Sequence, residues 1–364
     1  MANIINTDVN QFPSLTWNHL SINRTHLDTS VETGIAFECS ELCDGFCAEQ
    51  QPFDRISDDV SGLETGLGKA FDAQFDAVLS AAAVPVQVFT VRKGSKGCRP
   101  VVLRFTASGA TAAVADVVIK AEKDSDSTFI FDFESSAEVT GSCGYRVRVL
   151  AEENASVKVV AVNLLGKKLL HFSSIGSRTA DNAHVEVIEL QLGGGTVFSG
   201  DMQNLSGVRS SFSGQVGYMT DGERSLDINY VARQTGRETD SRMNVDGVVM
   251  DSAKKTWRGT IDFVRGCEGA KGDEQENVLL LSPDVANKTL PVILCDEEDV
   301  DGRHGASVGR LGQSLLFYME SRGIDEQSAK KMMVKAKIAS VCRFIPESSL
   351  VERITAFVEE AFDR

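Results

Sequence analysis

The feature that most constrains this sequence of 364 residues is a long region, from Val84 to about Asp299, in which apolar and polar side chains alternate. The segment RSLDINYVARQ is typical, because Leu226, Ile228 and Tyr230 alternate with polar residues. An alternation of this kind places one face of a strand against a core and the other against water. Gly, Asn and Asp interrupt it at short intervals, and no helical pattern does. The region therefore predicts a mainly β fold.

Short strands at regular spacing can form a sandwich, a barrel or a β-solenoid. The hairpin pattern in this sequence is weak, since Asn-Gly is absent and Asp-Gly lacks consistent strand flanks. The coils of a solenoid turn corners instead of reversing direction, so a weak hairpin pattern favours a parallel β-helix. The pattern by itself leaves the sandwich and the barrel open.

Helical patterns flank the strand region on both sides. Before it, Phe71, Phe75 and Leu79 recur every four residues, as on one face of a helix, and the segment from Trp17 to Leu27 is near helical spacing. After Gly305 the apolar residues again follow a helical period. We therefore divide the chain into an N-terminal helical region (1–83), a parallel β-helix core (84–303) and a C-terminal helical domain (304–364).

The charge balance excludes two classes of partner. The chain has 37 Lys and Arg against 52 Asp and Glu, a formal net charge of −15. Nucleic acids and anionic membranes are bound by clustered Lys and Arg, so neither is expected as a partner. No basic start followed by an apolar run opens the sequence, and the longest mostly apolar stretch, Leu79 to Phe89, is too short to span a bilayer. We expect a cytoplasmic protein with reduced cysteines.

Three of the eight cysteines, Cys39, Cys43 and Cys47, recur every four residues. On a helix their thiols would lie along one stripe, which suits either a metal or cluster site or three small apolar residues of a helical face. The motif has no CxxC pair and contains Gly45, unlike the spacing of structural zinc sites. We therefore favour the apolar helical face, and the role of these thiols stays open.

Few residues carry recognisable chemistry. No GxxxxGK[ST] phosphate loop occurs, so the chain is not expected to bind nucleotide by itself. His304 is unusual among the five histidines, because Gly305 follows it and five acidic residues between Asp296 and Asp301 precede it. It suits either a metal ligand oriented by carboxylates or a histidine that closes the last coil. The acidic run also leaves open a stand-alone carbohydrate-active β-helix enzyme, since such enzymes use paired carboxylates.

Four segments of the sequence together carry a family resemblance. In order they are LDINYVARQTGRETD, WRGTIDFVRGCEGAKGDEQENVLLLSPD, ILCDEEDVDGRHGASVGRL and LLFYMESRGI. They resemble the SufB/SufD family, the scaffold proteins of the SUF iron–sulfur cluster assembly machinery. HGASVG, from His304 to Gly309, is similar to the SufD form, whereas SufB typically has an acidic residue directly after the histidine. The resemblance implies a right-handed parallel β-helix with an N-terminal helical region and a C-terminal helical tail.

The resemblance also implies partners. The chain would be a non-enzymatic scaffold whose β-helix pairs with a SufB-like protein, or with a second copy of itself as a SufB-like homomeric scaffold. Its C-terminal helices would dock a SufC-type ABC ATPase, which supplies ATP hydrolysis. The residues implied for that contact are Leu316, Phe317, Tyr318, Arg322, Gly323 and Ile324.

A transient iron–sulfur cluster is the cargo that the resemblance implies. It would form at the interface with the SufB-like partner, with His304 as an iron ligand and with Cys295, nine residues upstream, as a second candidate. Some SufD proteins have a cysteine two residues before the histidine, where this chain has Gly302. The resemblance leaves open whether flavin acts through the complex.

Overall fold

The computed structural model describes residues 3–13, 22–108 and 110–362. Strands account for 51% of the chain and form a parallel β-solenoid of about 8 turns, with helices near both ends of the chain. The parallel β-helix predicted from the strand pattern is therefore confirmed.

The strands are β1 (Ile4–Val9), β2 (Thr25–Ser30), β3 (Thr33–Gly34), β4 (Phe37–Cys39), β5 (Phe46–Gln51), β6 (Val86–Val91), β7 (Val101–Ala107), β8 (Ala110–Ala121), β9 (Asp126–Ser135), β10 (Thr140–Ala151), β11 (Ser156–Leu164), β12 (Leu169–Thr179), β13 (His184–Gln191), β14 (Thr196–Leu205), β15 (Ser211–Thr220), β16 (Ser225–Gln234), β17 (Asp240–Val249), β18 (Lys254–Phe263), β19 (Ala270–Leu280), β20 (Ala286–Cys295) and β21 (Val300–Arg310). The helices are α1 (Phe53–Ile56), α2 (Lys69–Ala81), α3 (Gln313–Ser321), α4 (Glu326–Cys342) and α5 (Ser348–Glu360).

Two sheets form the walls of the solenoid. The ten-stranded sheet has the order β20-β18-β16-β14-β12-β10-β8-β6-β5, with β3 beside β8, and the nine-stranded sheet has the order β21-β19-β17-β15-β13-β11-β9-β7-β4. From β6 onward, consecutive strands alternate between the sheets, so each coil contributes one strand to each wall. The register is continuous, since Cys143 aligns with His171 and His171 with Val197. Aligned residues therefore point to the same side of the sheet.

The corners explain the weak hairpin pattern. Asp124, Asn154 and Asn182 each lie between strands of different sheets and have left-handed backbones, with φ of 61, 58 and 56°. Short Asn and Asp side chains tolerate this conformation because they can hydrogen-bond locally. The pair Asp221 and Gly222 occupies a corner between β15 and β16, where Gly222 has φ 62°. This Asp-Gly pair turns the chain into the next wall and does not reverse it.

Helix α2 packs as its spacing predicts. Phe71, Phe75 and Leu79 are fully buried on its inner face. The Phe71 ring lies 5.7 Å, centroid to centroid, from the ring of Phe172 on β12, an edge-to-face arrangement. The amphipathic helix thereby covers part of the outer face of the ten-stranded sheet.

Strands occupy more of the N-terminal region than its sequence pattern suggested. Leu27, which was expected on a helix, lies in β2 and pairs with Thr7 of β1, because burying alternate residues of the two strands satisfies their apolar side chains. Residues 17–21 of the same expected helix lie outside the described residues. Cys39 lies in β4 and Cys47 in β5, so the expected helical stripe of cysteines is wrong. Gly45, in the turn between these strands, has a φ of 87°, which is incompatible with a helix.

The C-terminal region begins later than the sequence pattern suggested. Strand β21 pairs with β19 from Val300 to Arg310, so His304 lies inside the last strand and not at the start of the helical domain. Gly323, with φ 83°, ends α3 as a C-terminal glycine should. Helices α4 and α5 pack on the outer face of the nine-stranded sheet through buried side chains such as Ile338 and Ile354.

Candidate functional site

The candidate site lies at the C-terminal end of the solenoid, where β20 and β21 are the outermost strands of their sheets. In β19, buried and exposed residues alternate, as expected for a strand between two neighbours. In β21 no residue is buried. An outermost strand presents a row of backbone N–H and C=O groups that can pair with another chain. This end of the solenoid is therefore open to a partner.

His304 lies near the middle of β21 and is exposed. It aligns with Glu274 of β19, so the two side chains share a face of the sheet, with the strands about 4.8 Å apart. In β19 that face points into the solenoid, because Glu274 is fully buried. The imidazole thus belongs to the interior side of the last coil and is uncovered because no further coil follows in the described part of the chain.

Cys295 is the last residue of β20 and is exposed. Its thiol donates to the backbone oxygen of Glu297 at 3.1 Å. Cys295 and His304 lie on different sheets, and among residues 3–13, 22–108 and 110–362 no group of three or more His, Cys, Asp or Glu side chains is arranged to hold a metal ion. An exposed thiol and an exposed imidazole are both ligand types that iron–sulfur clusters accept. Their joint role stays a prediction.

Gly302 stands where the resemblance suggested a third ligand. A Cβ atom at this position would come within 2.9 Å of the Phe263 ring and 3.2 Å of Ile293. Both neighbours belong to the ten-stranded sheet, so the close approach of the two walls leaves little room for a side chain. A cysteine here would require Phe263 to move.

The acidic turn before β21 is held by its own side chains. The Glu297 carboxylate accepts the backbone N–H of Gly266 at 2.9 Å, and this bond holds the pKa of Glu297 below its ordinary value. Asp301 forms an ion pair with Arg303 at 2.9 Å. The Glu297 contact ties the turn to the neighbouring corner at Gly266, whereas the exposed pair of Asp301 and Arg303 lies within β21 and contributes little to stability.

A buried polar network lies beneath β21, and the sequence interpretation missed it. Lys255 Nζ donates to Glu276 Oε1 at 2.5 Å, and the Tyr218 hydroxyl donates to the same oxygen at 3.0 Å. The indole N–H of Trp257 donates to Glu274 Oε1 at 2.7 Å. Inward and outward positions alternate along β18 and β19. Applying this alternation to the charged residues as well as the apolar ones would have placed Lys255, Glu274 and Glu276 inside the solenoid.

The network has unusual electrostatics. Burial raises the pKa of Glu274 to about 7; the Trp257 hydrogen bond and the Lys255 charge oppose this shift, and the Glu276 charge adds to it. Burial lowers the pKa of Lys255, and the charge of Glu276 opposes that change. Polar groups of this kind are costly inside a fold unless they are paired. The last coils thus place paired charges directly under the exposed strand.

Helix α3 is the second exposed feature. None of its residues is buried, and Leu315, Phe317 and Tyr318 are 45, 73 and 56% exposed. The Arg322 guanidinium lies 5.4 Å from the centre of the Tyr318 ring. Leu316 and Ile324 are half-buried, and Arg322 and Gly323 are exposed. A cluster of exposed apolar side chains on one short helix is typical of a contact surface.

Helices α4 and α5, in contrast, are anchored to the solenoid. Lys337 of α4 pairs with Asp246 of β17 at 2.8 Å, and Arg353 of α5 pairs with Asp132 of β9 at 2.5 Å. Asp132 is buried, and its charge is paired with Arg353 and with Arg104, at 3.1 Å. The tail therefore has a fixed part, formed by α4 and α5, and an exposed part, formed by α3.

No helix of the described residues is long and apolar enough to cross a membrane.

Known proteins are similar to this chain in sequence. Residues 104–337, more than half of the chain, match the family described as the SufBD core domain of the SUF system for FeS cluster assembly. The iron–sulfur cluster assembly protein SufD of Bacillus subtilis is 26% identical over 256 residues, covering 69% of this chain and 58% of that protein. SufD of Escherichia coli is 22% identical over 306 residues, covering 83% of this chain and 72% of that protein.

A SufB protein is similar over a shorter segment. The iron–sulfur cluster assembly protein SufB of Bacillus subtilis is 28% identical over 114 residues, covering 31% of this chain and 24% of that protein. The two SufD proteins match more than twice that share of the chain. The chain therefore belongs to the SufB/SufD family, as a SufD-like member.

Proposed function

We propose that this chain is a scaffold subunit for iron–sulfur cluster assembly, which pairs through the open end of its solenoid with a SufB-like protein. The observation that carries the proposal is strand β21. No described strand pairs with its outer edge, none of its residues is buried, and His304 lies near its centre. A partner strand added to this edge would bury β21 and enclose the imidazole. The relatives' role in iron–sulfur cluster assembly supports the assignment.

In this proposal His304 is an iron ligand to a transient cluster, and Cys295 is a second candidate. A cluster at a protein interface can be released when the interface rearranges, because its ligands come from both partners. The acidic turn gives no support to a carbohydrate-active enzyme, since Glu297 is bonded to the Gly266 backbone and Asp301 is paired with Arg303. We place the assembly reaction in the cytoplasm and any flavin in the complex.

Helix α3 is the proposed docking site for a SufC-type ATPase. Its apolar side chains are exposed, while α4 and α5 fix the tail to the solenoid, so a force on α3 would reach the β core. Nucleotide binding and hydrolysis then belong to the partner. The contact is of the helix-in-groove kind, with Phe317 and Tyr318 as its apolar anchors.

The cluster role is tested by anaerobic co-expression with a SufB-like protein and a SufC-type ATPase. His304→Ala should leave the complex intact and lower the cluster absorbance, and Cys295→Ser tests the second ligand separately. His26→Ala is the control, since His26 is an exposed histidine on β2. Unchanged cluster absorbance in the His304→Ala complex would exclude the ligand role.

The docking role is tested in the same system. Phe317→Asp should remove the ATPase from the purified complex and leave the SufB-like protein bound. Ile4→Asp introduces the same charge at another exposed apolar residue, 50% exposed on β1, and should have no effect. The mass of the complex distinguishes pairing with a SufB-like protein from pairing between two copies of this chain.

A further inference from the structure

Two loops face each other at the opposite end of the solenoid from β21. The first joins β4 to β5 and contains Cys43, and the second joins β6 to β7 and contains Cys98. Strands β4 and β5 are the outermost strands of the two sheets at this end, and both pair antiparallel with the first coil. We call β4, β5 and the loop between them the N-terminal cap.

The thiols of Cys43 and Cys98 lie side by side. Cys43 Sγ donates to the backbone oxygen of Arg99 at 4.0 Å, and Cys98 Sγ donates to the backbone oxygen of Asp44 at 4.0 Å. Each thiol thus lies against the residue that follows the other cysteine. Burial raises the pKa of Cys98, and a side-chain hydrogen bond with Cys43 adds to that shift.

Several contacts hold the two loops together around the thiols. Arg99 forms an ion pair with Glu41 at 2.6 Å, and the backbone N–H of Arg92 donates to the Gly45 oxygen at 2.8 Å. A Cβ atom at Gly45 would lie 2.2 Å from Ser95 Oγ, so the loops approach as closely as glycine allows. Held in this way, each thiol has a high effective concentration for the other.

The pair is also accessible to reagents. Cys43 and Cys98 are half-buried, with an apolar side against the solenoid core and an open side toward solvent. Cys39 and Cys295 are exposed, whereas Cys143 and Cys342 are buried, and burial raises the pKa of these two thiols to about 12 and about 11. The N-terminal cap therefore presents two adjacent thiols where a small molecule can reach them.

We propose that Cys43 and Cys98 form a redox-active pair, which small disulfides of the glutathione class convert to an intramolecular disulfide that locks the N-terminal cap to the first coil. One cysteine thiolate attacks the small disulfide RSSR, forms a mixed disulfide and releases RS⁻. The second thiolate attacks the protein sulfur of the mixed disulfide and releases another RS⁻. The two cysteine protons pass to the released thiolates, so the products are the protein disulfide and two RSH.

The consequence concerns the opening of the cap. Outermost strands open locally at lower free energy than the strands of the core. Opening of β4 or β5 separates the loop of Cys43 from the loop of Cys98, and a disulfide between them prevents this separation. Oxidation therefore converts a cap that opens reversibly into a cap that stays closed. The inference is independent of the cluster assembly role.

The test uses the full chain, reduced and then equilibrated with oxidised glutathione. The thiol count measured in denaturant should fall by two from the initial eight, and peptide mapping should recover a linked peptide with Cys43 and Cys98. Cys43→Ser and Cys98→Ser should each abolish this linked peptide. Cys39→Ser, on the neighbouring strand β4, is the matched control and should retain it.

A second measurement addresses the lock itself. Amide hydrogen exchange in β4 and β5 should slow by roughly tenfold or more on oxidation and return to its starting rate after reduction. Any of three results would refute the pairing. These are an unchanged thiol count, a mixed disulfide that persists, and a linked peptide between Cys267 and Cys295 in place of the Cys43–Cys98 peptide. Formation of the Cys43–Cys98 disulfide with unchanged exchange in β4 and β5 would refute the lock.

Discussion

His171 makes the stability of the solenoid sensitive to acid. It lies fully buried on β12, inside the solenoid, beside the stacked rings of Phe133 and Tyr145, at 5.5 and 5.8 Å from their centres. Its Nδ1–H donates to the backbone oxygen of Cys143 at 2.8 Å, and Nε2 has no hydrogen-bond partner among the described residues. A proton on Nε2 would place a charge among apolar groups without an acceptor. Burial therefore lowers the pKa of His171 to about 4.

The size of the effect follows from this pKa. The unfolded chain takes up a proton near pH 6.5, whereas the folded chain takes it up near pH 4. The free energy of unfolding therefore decreases as the pH falls between these values, by roughly 3 kcal/mol in total. Between about pH 7.5 and about pH 5.5 the decrease from this one residue is about 1.3 kcal/mol. His171→Gln, which cannot take up a proton, should remove that part of the pH dependence.

The assay is urea unfolding at the two pH values, followed by the fluorescence of the two tryptophans, of which Trp257 is fully buried in the solenoid. Val147→Ala is the matched control, since it destabilises the same interior without removing a titratable group. It should lower stability equally at both pH values and keep the wild-type pH dependence. If His171→Gln retains the wild-type pH dependence, the buried imidazole is not its source, and the reasoning is wrong.

Two further substitutions test packing and the anchoring of the tail. Gly247→Ala should lower the free energy of unfolding by roughly 2 kcal/mol, because the new Cβ would lie 1.9 Å from the Tyr218 ring. Gly309→Ala is the control, since its Cβ meets only a backbone oxygen at 3.9 Å. Thermal unfolding should show little change in the stability of this control. Arg353→Met should destabilise the docking of α5 by about 2 kcal/mol, because buried Asp132 loses a charged partner. Amide exchange should become faster in α5 and stay unchanged in the core strands. Unchanged exchange in α5 would contradict this prediction.

The solenoid was predictable because its strands follow one local rule. Leu226, Ile228 and Tyr230 form the inward face of β16, as their alternation predicts, but the polar face with Asp227 and Asn229 is covered by the N-terminal region and not by water. The weak hairpin pattern appears as corners such as Asn154. The N-terminal region was harder, because the spacing around Leu27 fits a helix as well as a strand. Pairing of β2 with β1 decides between them, and that contact is not local.

The candidate site was predictable only in part. His304 was identified by its unusual neighbours, and its place on β21 follows from a strand that continues past the expected boundary. The network of Lys255, Glu274 and Glu276 was missed, because charged residues are usually taken to face solvent. In a solenoid the register decides which side faces inward, so a charged residue at an inward position is buried whatever its hydropathy.

The two outermost strands at the open end are not equivalent. Strand β20 contains Pro291, which has no N–H to donate, and Lys288, which is exposed; both features disfavour the pairing of another strand along this edge. Strand β21 contains no proline, is rich in glycine and carries His304. Its backbone groups are therefore the better template for a partner strand. A partner that adds to β21 extends the nine-stranded sheet, and the face that carries His304 then becomes an interior wall, as the same face of β19 already is.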